Sequence, residues 1–174
     1  MLYPVQASSR KWFAIFTRSH HEKRVADYLT ERGIDSFLPL YKAEHQWSHN
    51  RNVALDLPLF PNYLFVHIAP DERFRTLNVA GVLSMVSQGS TPVPLPDLEI
   101  ECLRAGFRSR KFEPHPYLGV GTKALIKAGP FAGMEGVVLR KKAGLRVILT
   151  VDLVMQSVAV EVNADELECR GSAS

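Results

Sequence analysis

Leu59-Phe60-Pro61-Asn62-Tyr63-Leu64-Phe65-Val66 is an uncharged run that holds three aromatic rings and a proline. A fully buried strand has this texture, so core packing is the plain reading. Pro61 cannot donate to a sheet ladder, which places it at a strand edge or at a break. Asn tolerates left-handed backbone angles and bonds its own main chain, so Pro61-Asn62 reads as a turn feeding a strand. Aromatic side chains serve both cores and interface hot spots, and rings beside such a turn stand where a partner could grip them. On residue type alone both readings stay open.

Outward from this run, the chain alternates strands and helices. Lys11 to Thr17 reads as a central strand, with Trp12, Ala14 and Phe16 on one face and Phe13, Ile15 and Thr17 on the other. Ser19 and Glu22 have capping-box spacing, which predicts a helix with Val25 and Leu29 toward the core. Gly33 ends it in a left-handed position. Ile34 to Leu40 is a short strand stopped by Pro39. Residues 41–58 form an antiparallel hairpin about the polar turn His49-Asn50-Arg51-Asn52, with Val53, Leu55 and Leu57 inward. A strand over Tyr63–Ile68 follows, then a short helix from Pro70 through Leu77. Gly81 breaks the chain before a strand at Val82–Val86, and Gln88 to Thr91 is a turn. Pro96 and Asp97-Leu98-Glu99 begin a helix whose stripe is Leu98, Cys102 and Ala105.

From Phe107 to Tyr117 no period survives. Arg108, Arg110, Lys111, Pro114 and Pro116 make a basic, proline-stiffened linker. Beyond it come short β-branched runs at Ala124–Lys127, Gly136–Lys141, Leu145–Val151 and Val158–Val162, separated by glycine-containing or polar turns. Closely spaced strands of this kind close into a small barrel, which removes exposed edges. The expected organisation is a flexible tail (1–10), an α+β domain (11–106), a linker (107–117), a β-barrel (118–170) and a tail (171–174).

The bulk numbers fit a soluble globular protein: 46% hydrophobic and 22% charged residues over 174 positions, with a net charge of +3. A mildly basic balance permits nucleic-acid contact without demanding it. Cys102 and Cys169 lie far apart in no C-x-x-C unit, which points to a reducing compartment. Neither a signal peptide nor a run of the ~20 apolar residues that cross a bilayer is present, so a cytoplasmic, membrane-free protein is expected.

His20 and His21 are neighbours projecting about 100° apart on a helix, unsuited to one ion. No zinc-type spacing and no G-x-S-x-G elbow occurs. Gly119-Val120-Gly121 lacks the remainder of a phosphate loop. Neither an enzyme nor a metal or other cofactor is expected. The basic residues say more. Arg10, Lys11, Arg18, Lys23 and Arg24 gather at the first strand and helix start, near Tyr28. A solvated face accounts for them, and so does single-stranded nucleic acid, which wants cations beside a ring. Arg140, Lys141, Lys142 and Arg146 allow a weaker second version, with an edge-strand charge guard equally open.

Three segments, in this order, carry a family resemblance. Trp12-Phe13-Ala14-Ile15-Phe16-Thr17-Arg18, the Glu22-Lys23-Arg24-Val25 helix and Leu57-Pro58 leading into Leu59–Val66 resemble the N-terminal (NGN) domain of NusG-type transcription elongation factors. The Leu59–Val66 run is closer to RfaH-like antiterminators than to housekeeping members, which usually have Gly where Asn62 stands. Residues 127–138 resemble the KOW motif of the family's C-terminal barrel, matching at Lys127, Gly129, Pro130, Phe131, Gly133 and Gly136.

The resemblance implies an antiparallel-rich sheet flanked by helices, followed by a small SH3-like barrel. The first domain would dock on the clamp helices of the largest RNA polymerase subunit through Phe16, Phe60, Pro61, Tyr63 and Phe65. Arg73, Arg75 and Thr76 occupy the region of the His-Thr-Thr element that touches the opposite polymerase lobe in RfaH-like members. Such bridging favours the closed, pause-resistant enzyme and biases a two-state element without doing chemistry. The exposed non-template DNA strand would fall to Arg18, Arg24, Tyr28 and Arg32, although Glu31 stands where the family is often basic. The barrel would recruit a small-subunit ribosomal protein or the terminator Rho. Helix propensity is poor across Val147–Val162, which predicts a stable barrel and not a helical, fold-switching domain. The expected function is a monomeric antiterminator for a limited set of operons. The alternative is an RNA- or ribosome-associated KOW protein that does not act on polymerase.

Overall fold

The computed structural model describes residues 9–47, 51–106, 112–115, 123–141, 144–151, 154, 156–163 and 166–169. Its elements run β1 (Lys11–Thr17), α1 (Glu22–Glu31), β2 (Asp35–Phe37), β3 (Leu40–Trp47), β4 (Arg51–Pro58), β5 (Tyr63–Ile68), a 3-10 turn (Pro70–Glu72), α2 (Arg73–Leu77) and β6 (Val82–Met85). Then follow β7 (Ser87–Gln88), β8 (Thr91–Pro92), β9 (Pro94–Leu95), α3 (Asp97–Gly106), β10 (Phe112–His115), β11 (Lys123–Ile126), β12 (Glu135–Lys141), β13 (Gly144–Val151), β14 (Gln156–Val162) and β15 (Leu167–Cys169). The chain forms two units, one of Met1–Leu38 with Asn62–Leu95, the other of Pro39–Pro61 with Pro96–Ser174.

In the first unit the antiparallel sheet has the order β2-β5-β1-β6, and β9 also pairs with β1. β1 is central, as its two apolar faces require. One face carries Ile15, Leu64, Val66, Ile68 and Met85, and α1 covers it with Val25 and Leu29. α1 ends where glycine supplies a left-handed residue: Gly33 has φ +68, its N–H donates to the Thr30 carbonyl, and the Ile34 N–H donates to the Leu29 carbonyl. These are the paired bonds of a Schellman cap.

The start of α1 differs from the capping-box expectation. His20 takes φ +62, His21 occupies the cap position, and no side chain caps the helix. Ser19 lies outside the helix, and Glu22 is buried with its carboxylate turned to another partner, described below. Arg10, expected in a loose tail, is anchored by an ion pair to Glu72 at 2.9 Å.

In the second unit β3 and β4 pair antiparallel from Leu40↔Pro58 to Trp47↔Arg51. The expected inward face is not buried: Leu55 and Leu57 are 39% and 38% exposed. Among the described residues this hairpin pairs only with itself, and such a hairpin has no second layer to cover a face. The side chain of Val53, and residues 48–50 of its turn, lie outside the described residues. α3 buries Ile100, Cys102, Leu103 and Gly106, while Leu98 is 49% exposed and Ala105 is exposed. The i, i+3 series Ile100–Leu103–Gly106 therefore replaces the expected stripe, with only Cys102 common to both.

The C-terminal sheet is antiparallel, in the order β10-β14-β13-β12-β11-β15. β10 falls within the expected linker. Pro114 is tolerated there because, among the described residues, β10 is the end strand, paired on one side with β14. Its counterparts 107–111 and 116–117 lie outside the described residues.

Candidate partner-binding face

Antiparallel register decides which side chains share a sheet face. Trp12 pairs with His67, Ala14 with Phe65 and Phe16 with Tyr63 across β1 and β5, while Phe37 pairs with Phe65 and Asp35 with His67 across β2 and β5. Residues directly opposite point to the same side. The face opposite α1 is therefore aromatic along its length. Trp12 stacks on His67 with centroids 4.9 Å apart, Phe37 on Phe65 at 6.3 Å, and Phe16 meets Tyr63 tilted at 5.1 Å.

Burial grades this face. Trp12 and Phe65 are buried, whereas Phe16 and Tyr63 are half-buried. The register sets Phe16, Tyr63 and Phe65, three of the residues the resemblance implies, on one face, but Phe65 has no surface to offer a partner. The Trp12–His67–Asp35 row was missed. Its signal was the period of two that links His67 to Phe65 and Tyr63. His67 Nδ1 lies 3.6 Å from Asp35 Oδ2.

The turn before β5 is held by Asn62, the residue that precedes Tyr63. Asn62 has φ +67. Its carbonyl accepts the Thr17 N–H at 2.8 Å and the Thr17 hydroxyl at 3.3 Å, and its own N–H donates to Glu22 Oε1 at 2.9 Å. β1, α1 and β5 thus meet at one residue.

Phe60 and Pro61 belong to the second unit. Phe60 and Leu59 are fully buried, so Phe60 presents no surface either; a large apolar ring at the foot of a hairpin gains most by burial. Pro61 is exposed, and its carbonyl accepts a bond from Gln156 Nε2 at 3.2 Å.

Of the expected second polymerase contact, Thr76 is buried, its hydroxyl donating to the Glu72 carbonyl one turn back at 3.0 Å. It serves the helix. Arg75 is exposed and donates to the Arg32 carbonyl; Arg73 is half-buried. Among the expected nucleic-acid residues, Arg18, Arg24 and Arg32 are exposed and Tyr28 is half-buried against the core. Arg24, Tyr28 and Arg32 recur every four residues, so they share one side of α1 and its cap.

The KOW-like segment forms the turn between β11 and β12. Gly129 and Gly133 have positive φ, Phe131 is buried and Pro130 half-buried, and the Gly133 N–H closes on the Ile126 carbonyl at 2.8 Å. Lys127 is exposed, and Gly136 lies in β12 opposite Ala124 and Leu149. In the same unit the Cys102 thiol contacts the Ala132 carbonyl at 3.9 Å. Burial pushes that thiol pKa up, and the nearby Glu101 carboxylate adds to the shift.

Residues 10–104 match the family model described as "Transcription termination factor nusG", more than half of the chain. The chain belongs to the NusG family. The transcription termination/antitermination protein NusG of Staphylococcus carnosus is 25% identical over 94% of this chain and 97% of its own length. That of Rickettsia bellii is 23% identical over 84% of each. The fold of the Thermotoga maritima NusG structure titled "Domain interaction in Thermotoga maritima NusG" is similar, with a TM-score of 0.57 over 91% of this chain and 96% of that one, at 23% identity. As a NusG-family member the chain is a transcription termination/antitermination factor.

Proposed function

We propose that this NusG-family protein is a specialised, RfaH-like paralogue that binds RNA polymerase during elongation and suppresses pausing or termination in a limited set of operons. The observation that carries the reading is the Phe16–Tyr63 pair, two half-buried rings 5.1 Å apart. A half-buried ring pair on a rigid sheet is what an interface anchor requires: large contact area with little side-chain freedom left to lose. The clamp helices of the largest subunit are the proposed seat, with Pro61 as a further contact. Phe65 acts as support beneath it. Arg18, Arg24, Tyr28 and Arg32 are the proposed contact to the non-template strand.

The C-terminal sheet is read as the KOW-type, SH3-like barrel, recruiting a ribosomal protein or Rho. The protein acts as a monomer in the cytoplasm. A paused elongation complex tests this: adding the protein is expected to shorten the dwell at the pause, and an unchanged dwell contradicts it.

A further inference from the structure

Phe74 on α2 is 77% exposed, the most exposed large apolar side chain among the described residues. Arginines flank it at 73 and 75. Arg75 Nη2 donates to the Arg32 carbonyl, and Arg32 Nη1 donates to the Asn78 carbonyl at 3.4 Å. The Asn78 N–H in turn donates to the Phe74 carbonyl at 3.1 Å. The ends of α1 and α2 are laced together by guanidinium-to-carbonyl bonds.

A carbonyl orients a guanidinium without neutralising it. Among the described residues, Arg32, Arg73 and Arg75 take part in neither recorded ion pair, and the buried Nε of Arg73 has no acceptor. Glu72 is occupied by Arg10 and the Ala69 N–H. Glu31 and Asp71 are exposed nearby in sequence, which leaves a modest positive excess. Helix capping accounts for the arginine bonds. It gives no reason for an exposed aromatic ring at the sequence position between Arg73 and Arg75.

We infer that Phe74, framed by Arg32, Arg73 and Arg75, is a stacking platform for an unpaired base of a single-stranded nucleic acid. The inference rests on the nucleic-acid face proposed for α1 and extends it onto α2. An unpaired base offers a π-face, and its neighbouring phosphates reach separate cations. A duplex keeps its base faces inside the stack and cannot use the ring.

The test is anisotropy titration of a short labelled single-stranded oligonucleotide, and of the same sequence as a duplex, with the full chain and no polymerase. Phe74→Ala is expected to weaken single-strand binding by about tenfold, Phe74→Trp to retain it, and duplex binding to change little. Arg75→Ala is expected to lower the salt slope by about 0.7. Leu83→Ala, at a site 53% exposed on β6, serves as a control and should bind as the parent does. Undiminished single-strand binding by Phe74→Ala overturns the inference, as does an equal loss on duplex. So does a Phe74→Ala protein that keeps the oligonucleotide but loses RNA polymerase, since the ring then belongs to a protein contact. Polymerase binding by Phe16 and Tyr63 variants is a separate readout, so either proposal can fail alone.

Discussion

Glu22 Oε1 accepts the Asn62 N–H at 2.9 Å, tying the first turn of α1 to the turn that opens β5. The carboxylate is buried and its bond is charge-assisted. Glu22→Ala leaves the Asn62 N–H without its acceptor and is expected to cost about 2 kcal/mol, read as a lower urea midpoint with an unchanged slope. Glu22→Gln keeps an acceptor and should recover much of the loss. Equal midpoints for Glu22→Ala and the parent would remove this bond from the account.

Asn62 itself sits at φ +67, where a side chain is tolerated only if short and polar. Asn62→Gly is expected to change stability by less than about 0.5 kcal/mol, and Asn62→Val to lose roughly 1–2 kcal/mol. Thermal melts of the two variants separate backbone strain from side-chain contacts.

Gly81 has φ +97, and a Cβ built there would lie 2.8 Å from Val25 Cγ2. Gly81→Ala is expected to destabilise by about 1–3 kcal/mol through overpacking against α1. Combining it with Val25→Ala should cost less than the sum of the single changes, because the clash partner is gone. Strict additivity would contradict the contact.

Cys102 is buried with its thiol pKa raised, first by desolvation and then by Glu101. The neutral thiol is favoured in the folded state, so its stability contribution is complete below the ordinary thiol pKa of about 8.5. It is lost as pH rises from there through the raised value. Cys102→Ala should flatten that alkaline decline in denaturant midpoint. In a Cys169→Ser background, alkylation of the native protein should be slow and speed up on unfolding.

Much of this fold was legible where the determining residue was local. Gly33 and Asn62 announced left-handed backbone, and β1 announced a central strand by having two apolar faces. The failures lay where a partner was distant. Ser19 and Glu22 match a capping template, yet Glu22 answers a backbone donor 40 residues away, which no local spacing encodes. Leu55 and Leu57 alternate as a buried strand should, but alternation specifies a face and not what covers it. At the candidate site the grouping of Phe16, Tyr63 and Phe65 came from the family resemblance, and the antiparallel register sets them on one face. The burial that separates Phe65 from the other two depends on tertiary packing and was not legible.

Affinity of the full chain for RNA polymerase, measured by titration for Phe16→Ala, Tyr63→Ala and the double variant, tests the central claim most directly. Hot-spot rings are worth about 2 kcal/mol or more, so each single change is expected to weaken binding by roughly 30-fold while the urea midpoint shifts far less than for Glu22→Ala. Parent-like affinity in the double variant would contradict docking through this face.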